Sequence, residues 1–168
     1  EQQEAMRAEQ SLFQAQNALA NGNRALAESD LQKLIQRSPK APGAIQAAGQ
    51  LATLRYEDGK FAEGVALARQ ALERAPDHMK AGLHALVAAG LEDDRKAAEA
   101  AEEYKKAAAA SSFELDKQKY QADAARALMA AGNVAEAKRM WAELAENELS
   151  PLADEARVRL GELNAKAA

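Results

Sequence analysis

Residues 44–78 read AIQAAGQLATLRYEDGKFAEGVALARQALERAPDH, and this stretch indicates the architecture of the whole chain. In its first half, alanines and leucines recur at three- and four-residue spacing, which predicts an amphipathic helix. Gly59 interrupts the pattern and can adopt a positive φ after a helix. A second apolar stripe begins at Phe61. It ends at Pro76, because proline lacks an amide donor and disfavours helix in the residue before it. The stretch is therefore predicted to form two helices joined by a tight turn.

The same pattern recurs on both sides of this stretch. Gly22 and Pro39 lie 37 positions before Gly59 and Pro76, and Gly132 marks a later turn of the same kind. Between them, residues 92–95 (EDDR) are predicted to form a charged loop, and Ser150 followed by proline predicts the start of a last helix. We predict one domain of about four helix pairs, roughly residues 5–39, 42–76, 79–110 and 113–148, with a capping helix over 151–164.

Composition excludes several classes of protein. The chain has 168 residues, enough for a buried core, and no segment alternates at period two, so essentially no strand is predicted. The net charge is −4 with both signs interspersed, which argues against a nucleic-acid-binding face. Cysteine is absent, which excludes disulfides and thiolate metal sites. No apolar run approaches the length of a membrane span.

The stretch resembles the tetratricopeptide repeat family, whose pattern has fixed small, aromatic, glycine and proline positions. The matching residues are Leu51-Ala52, the turn residue Gly59 with Phe61 after it, Gly64 in the place of a small alanine, Ala71-Leu72 and the closing Pro76. The resemblance implies an all-α fold, a right-handed superhelical solenoid of antiparallel helix pairs, and a role as a protein-interaction scaffold. It also places Trp141, the only tryptophan, at an aromatic core position of a second helix.

Several segments resemble one subgroup of that family, the tetratricopeptide domains of bacterial envelope proteins such as the ancillary subunit of the SecYEG translocon. These segments are YEDGKFAEG, EEYKKAA, AAGNVAEA and SPLADEARVRLGEL. The resemblance implies a periplasmic or envelope location with a membrane anchor upstream of Glu1, and a cytoplasmic location is the alternative. Because the chain begins with glutamate rather than methionine, we expect it to be processed or truncated.

The residues that carry chemistry in enzymes do not form a recognisable pattern. His78 and His84 are six positions apart, whereas two ligands on one helix need a spacing of three or four. No serine lies in a Gly-x-Ser-x-Gly turn, and no glycine-rich phosphate loop follows a strand. We therefore predict no catalytic residue, no metal site, no cofactor and no enzymatic activity.

The predicted function is binding of a peptide or protein partner. In the tetratricopeptide family the first helix of each pair lines a concave groove, and the resemblance carries this role over to ten residues. They are Gln46, Gln50, Thr53, Tyr56, Glu57, His84, Lys119, Asp123, Arg126 and Met129. The alternative is a structural module that associates with itself through its edges at Ala5–Leu19 or Leu152–Leu163, forming a weak homodimer.

Overall fold

The computed structural model describes residues 2–167. Within this range the chain forms nine α-helices and no strand, which confirms the all-α prediction. Four helix pairs are followed by a single helix, in the predicted order. The helices are α1 (Gln2–Ala20), α2 (Arg24–Arg37), α3 (Pro42–Glu57), α4 (Phe61–Leu72), α5 (Asp77–Asp93), α6 (Ala97–Ala110), α7 (Glu114–Ala130), α8 (Val134–Glu146) and α9 (Ala153–Ala167).

The turns inside the first, second and fourth pairs share one backbone structure. Gly22, Gly59 and Gly132 have φ values of +79°, +73° and +82°. The residue after each glycine donates its amide to the carbonyl five positions earlier, for example Lys60 N to Arg55 O at 2.8 Å. The glycine itself donates to the carbonyl three positions earlier. This combination is the Schellman motif, which satisfies the free carbonyls at the end of a helix.

The third pair contains the same motif without a glycine. Arg95 has a φ of 60°, and Lys96 donates to the carbonyl of Leu91 at 2.8 Å, as in the other three turns. The predicted charged loop over residues 92–95 is therefore too long, because α5 continues to Asp93 and only a tight turn remains. An arginine in the left-handed region carries a steric cost that glycine does not.

Contacts between helices group the described residues into two compact units. The first unit ends at Pro76 and contains α1–α4, and the second begins at Asp77 and contains α5–α9. The single-domain boundaries given above stay a prediction.

In the first unit α1 packs against α2 and α3, and α3 also packs against α2 and α4. Alanines and leucines form the core between α1, α2 and α3. Small residues let the backbones approach closely. A Cβ on Gly43 of α3 would lie 3.2 Å from the Ala8 carbonyl carbon of α1. The core residues are Ala8, Leu12, Ala15, Leu31, Leu34, Ala44, Ala47, Leu51 and Leu54.

In the second unit each helix packs against the next one along the chain. Trp141 of α8 is fully buried, which confirms its predicted core position. The final helix begins later than predicted. Ser150 and Pro151 lie in a turn, and α9 starts at Ala153. The Ser150 hydroxyl still accepts from the Leu152 amide at 3.2 Å, and it donates to Gln118 of α7 at 2.6 Å, so it anchors the turn to α7.

Candidate interaction surface

Helix α3 presents a polar face opposite its buried side. Gln46, Thr53 and Glu57 are exposed and Gln50 is half-buried, whereas Ala44, Ala47, Ala48 and Leu51 on the other side are buried. The separation follows from the 3.6-residue period, because positions three, four and seven apart share one face of a helix. Four of the ten predicted groove residues therefore form one row along the polar face of α3.

Two members of this row already have partners within the first unit. The Thr53 hydroxyl donates to the Gly49 carbonyl at 3.1 Å, as threonines within helices commonly do. Glu57 accepts from Arg24 of α2 at 3.1 Å in an exposed ion pair. The side-chain amides of Gln46 and Gln50 have no hydrogen bond among the described residues, so both can donate to and accept from a bound chain.

Tyr56 is mainly a packing residue. Its ring lies 6.4 Å from the Phe61 ring, centroid to centroid, at an interplanar angle of 41°. The ring also covers Gly64 of α4, where a Cβ would lie only 2.6 Å from the Tyr56 Cδ1 atom. Gly64 therefore provides the space that the tyrosine ring occupies. This arrangement joins α3 to α4, so removal of Tyr56 would change packing as well as any bound partner.

Arg126 of α7 contacts two other helices of the second unit, through an ion pair with α9 and a cation–π contact with α8. Arg126 of α7 bonds to both carboxylate oxygens of Glu155 in α9, at 2.8 and 2.9 Å, and to Asp123 at 2.7 Å. Its guanidinium lies 5.7 Å from the centroid of the Trp141 ring, within cation–π range. The Trp141 indole N–H points at the Met129 sulfur at 3.3 Å. Asp123, Arg126 and Met129, all predicted groove residues, thus have roles within the fold.

The electrostatics of this cluster follow from its partial burial. Burial raises the pKa of the Asp123 carboxyl, and the neighbouring Arg126 opposes that rise. In this partly buried environment the ionised form of the Asp123 carboxyl is less stable, relative to the neutral form, than it would be in water. The pair is therefore better suited to fixing the orientation of Arg126 than to binding an incoming cation.

The last two predicted groove residues differ in their surroundings. His84 of α5 is half-buried, and its Nδ1 lies 2.8 Å from a carboxylate oxygen of Glu103, a buried residue of α6 that also accepts from Lys106 at 3.0 Å. Lys119 of α7 is exposed and has no ion pair within residues 2–167. The assignment of the ten residues to a binding groove stays a prediction.

Sequence reasoning missed the matching face of α1. A shift of 37 positions relates Gln50 to Phe13 and Thr53 to Gln16, and α1 packs directly against α3. Gln16 is exposed, and 63% of the Phe13 surface is accessible to solvent. The repeat period was the signal that could have identified both residues. Phenylalanine is among the aromatic residues that are enriched in protein–protein interfaces.

Neither a metal cluster nor a membrane-spanning helix occurs in the described part of the chain. Residues 2–167 contain no group of three or more histidine, aspartate or glutamate side chains placed to hold a metal ion. None of the helices in that range combines the length and the apolar character needed to cross a bilayer.

Comparison with known proteins places the fold but not a specific relative. No family model matches the sequence, and no curated protein matches it. Among solved structures, the chain is similar to a protein of Podosopora anserina that is assigned as a kinesin light chain and has nearly identical TPR-like repeats. That structure has 17% sequence identity and a TM-score of 0.71, and the match covers 95% of this chain and 86% of the other. A variant of the same protein with one substituted residue gives 18% identity, the same TM-score and coverage of 95% and 85%.

A second similar structure is a tetratricopeptide repeat protein from Parabacteroides merdae. It has 17% identity and a TM-score of 0.72, and the match covers 95% of this chain and 60% of that longer one. These likenesses confirm the predicted tetratricopeptide-like solenoid fold of antiparallel helix pairs. The resemblance to the ancillary SecYEG subunit stays a prediction.

Proposed function

We propose that the protein is an interaction scaffold that binds an extended segment of a protein partner across α1 and α3 of the first unit. The observation that carries the proposal is that matching positions, 37 residues apart, are accessible to solvent on these two neighbouring helices. Phe13 supplies an apolar anchor, and Gln16, Gln46 and Gln50 supply amides on the same two helices. Glutamine amides can both donate to and accept from a peptide backbone, which suits binding of an extended chain.

The proposed surface does not contain the same residues as the groove predicted from the sequence. It keeps Gln46, Gln50 and Thr53 and adds the two α1 residues. It omits Tyr56 and Arg126, because these two side chains have packing and ion-pair roles within their own units.

Selection of binding peptides from a random display library tests the proposal. The wild-type chain is the bait, and the selected peptides are then measured by isothermal titration calorimetry against Phe13→Ser and Gln50→Ala. We expect at least a tenfold loss of affinity with Phe13→Ser, since aromatic anchors often contribute about 2 kcal/mol or more. Phe113→Ser is the matched control, because Phe113 is a phenylalanine of the second unit that is even more exposed (72%) than Phe13.

The proposal fails if selected peptides bind Phe13→Ser as tightly as the wild type, or if Phe113→Ser has the larger effect. Light scattering at the calorimetric concentration separates partner binding from the alternative of self-association. We also propose a bacterial envelope location for the scaffold, on the basis of the segment resemblance given above. Fractionation of the native host tests it, and recovery of the protein in the cytoplasm alone would contradict it.

A further inference from the structure

A second surface of the first unit has a different character from the α1–α3 face. The N-terminal half of α1 and the C-terminal half of α2 border a cleft of about 840 Å³. Its volume lies within the usual range of ligand sites. Polar and charged side chains form most of its walls. They include Arg7, Gln10 and Ser11 of α1 and Lys33, Arg37 and Ser38 on or just after α2.

The repeat period shows that this polar lining stands where the next pair has apolar residues. Arg7, Gln10, Ser11 and Gln14 correspond, 37 positions later, to Ala44, Ala47, Ala48 and Leu51. In α3 all four of these positions are apolar and buried, and three belong to the core shared with α1 and α2. In α1 the same face is polar, and none of the four side chains is buried. The side of the first helix pair that carries these four α1 residues therefore forms a polar cleft open to solvent.

The cleft carries a small excess of positive charge. Arg7, Lys33 and Arg37 line it, against Glu4 and Asp30. Lys33 lies 3.9 Å from Asp30, whereas neither Arg7 nor Arg37 has an ion pair within the described residues. Guanidinium groups bind carboxylates through two parallel hydrogen bonds, and the neighbouring amides and hydroxyls can bond to a peptide backbone.

We propose that this cleft binds an acidic peptide segment of a protein partner, with Arg7 and Arg37 holding its carboxylates. The site is separate from the α1–α3 face, so either proposal can hold without the other. A ligand of several carboxylates spaced along a chain matches two arginines carried on two different helices. Glu4 also lines a second, smaller pocket. Lys40 lines that pocket too and adds a basic side chain near the cleft.

Fluorescence anisotropy of two labelled octapeptides tests the proposal. One alternates glutamate and serine, and the other has glutamine in place of each glutamate. We expect only the glutamate peptide to bind, with affinity that falls as salt rises from about 50 to 300 mM. Arg7→Gln and Arg37→Gln should each weaken binding about two- to fivefold, as expected for partly exposed ion pairs.

Arg74→Gln is the matched control, because this substitution removes the same charge at a position that does not line the cleft. Arg74 lies 37 positions after Arg37 and so occupies the equivalent place in the next repeat. Phe13→Ser should leave binding of this probe unchanged, which separates this result from the test of the α1–α3 face. The proposal is overturned if the wild type does not bind the glutamate peptide, if the glutamine peptide binds as well, or if Arg74→Gln weakens binding as much as Arg37→Gln. Tighter binding of inorganic phosphate through the same arginines would also overturn it.

Discussion

Replacing Gly64 with alanine should destabilise the first unit, although alanine is the better helix former and is the residue that the tetratricopeptide pattern has at this position. The new Cβ would lie 2.6 Å from the Tyr56 Cδ1 atom and 2.8 Å from the Ala52 carbonyl oxygen. The tyrosine ring is half-buried and can rotate away. The carbonyl belongs to the backbone of α3, so α3 and α4 must separate by a few tenths of an ångström.

The expected magnitude is the difference between two opposing contributions. Overpacking of a close helix contact costs about 1–3 kcal/mol, and alanine in place of glycine regains up to about 1 kcal/mol within a helix. These two contributions give a net loss of about 0–3 kcal/mol, and because one of the close contacts is with backbone we expect Gly64→Ala to lower the free energy of unfolding by about 1–2 kcal/mol. For a chain of this size that corresponds to a melting temperature lower by about 2–8 °C.

Urea unfolding followed by circular dichroism at 222 nm measures the effect. Gly82→Ala in α5 is the matched control, because a Cβ at Gly82 meets nothing within 4 Å. That variant should gain about 0.5–1 kcal/mol. The double variant Gly64→Ala with Tyr56→Ala should be less stable than Tyr56→Ala alone, since the Ala52 carbonyl is still in the way. If Gly64→Ala were as stable as the wild type, the close contact between α3 and α4 would be refuted.

Three further substitutions test other features of the fold. Arg95→Gly should stabilise the protein by about 0.5–1 kcal/mol, because it relieves the positive φ in the turn of the third pair; lower stability in a thermal melt would contradict this. Trp141→Ala should cost roughly 3–5 kcal/mol in urea unfolding because the ring is fully buried, and a near-wild-type midpoint would show that it is not a core residue. Hydrogen bonds from Arg55 and, to a smaller extent, from Arg24 lower the pKa of the Glu28 carboxyl below its ordinary value of 4.5. The ionised carboxylate therefore stabilises the fold above pH 4.5, and this stabilisation is lost as the pH falls through the lowered pKa. Glu28→Gln should thus be less stable than the wild type at pH 7 and lose less stability between about pH 5 and pH 3, and parallel curves for the two proteins would refute this assignment.

The helix pairs were predictable from the sequence because the residues that end each helix are recognisable locally. Gly22, Gly59 and Gly132 have the left-handed backbone conformation at the turns. The 37-residue period relates the first two pairs directly. Arg95 escaped prediction since an arginine gives no local signal for a positive φ. The surrounding helices impose that conformation on it.

The contacts of single side chains could not be predicted in the same way, because periodicity identifies a face and not the contacts made on it. Arg126 lies on a first helix, as expected, but its ion pair is with Glu155, 29 positions away on a helix whose packing no local pattern encodes. Tyr56 is similar, since Gly64 of the following helix makes room for its ring. Phe13 was overlooked for the opposite reason. Apolar residues on a helix are usually assigned to the core, and only comparison with Gln50 one period later places it on the exposed face.

Site-specific photo-crosslinking in the native host tests the central claim most directly. A benzoylphenylalanine at Gln50 of α3 samples the proposed surface, and the same residue at Gln70, an exposed position of α4, is the matched control. We predict that a discrete partner is crosslinked at Gln50 and not at Gln70, and that Phe13→Ser abolishes the product. Equal crosslinking from both positions, or a product at Gln50 that persists in Phe13→Ser, would contradict binding across α1 and α3.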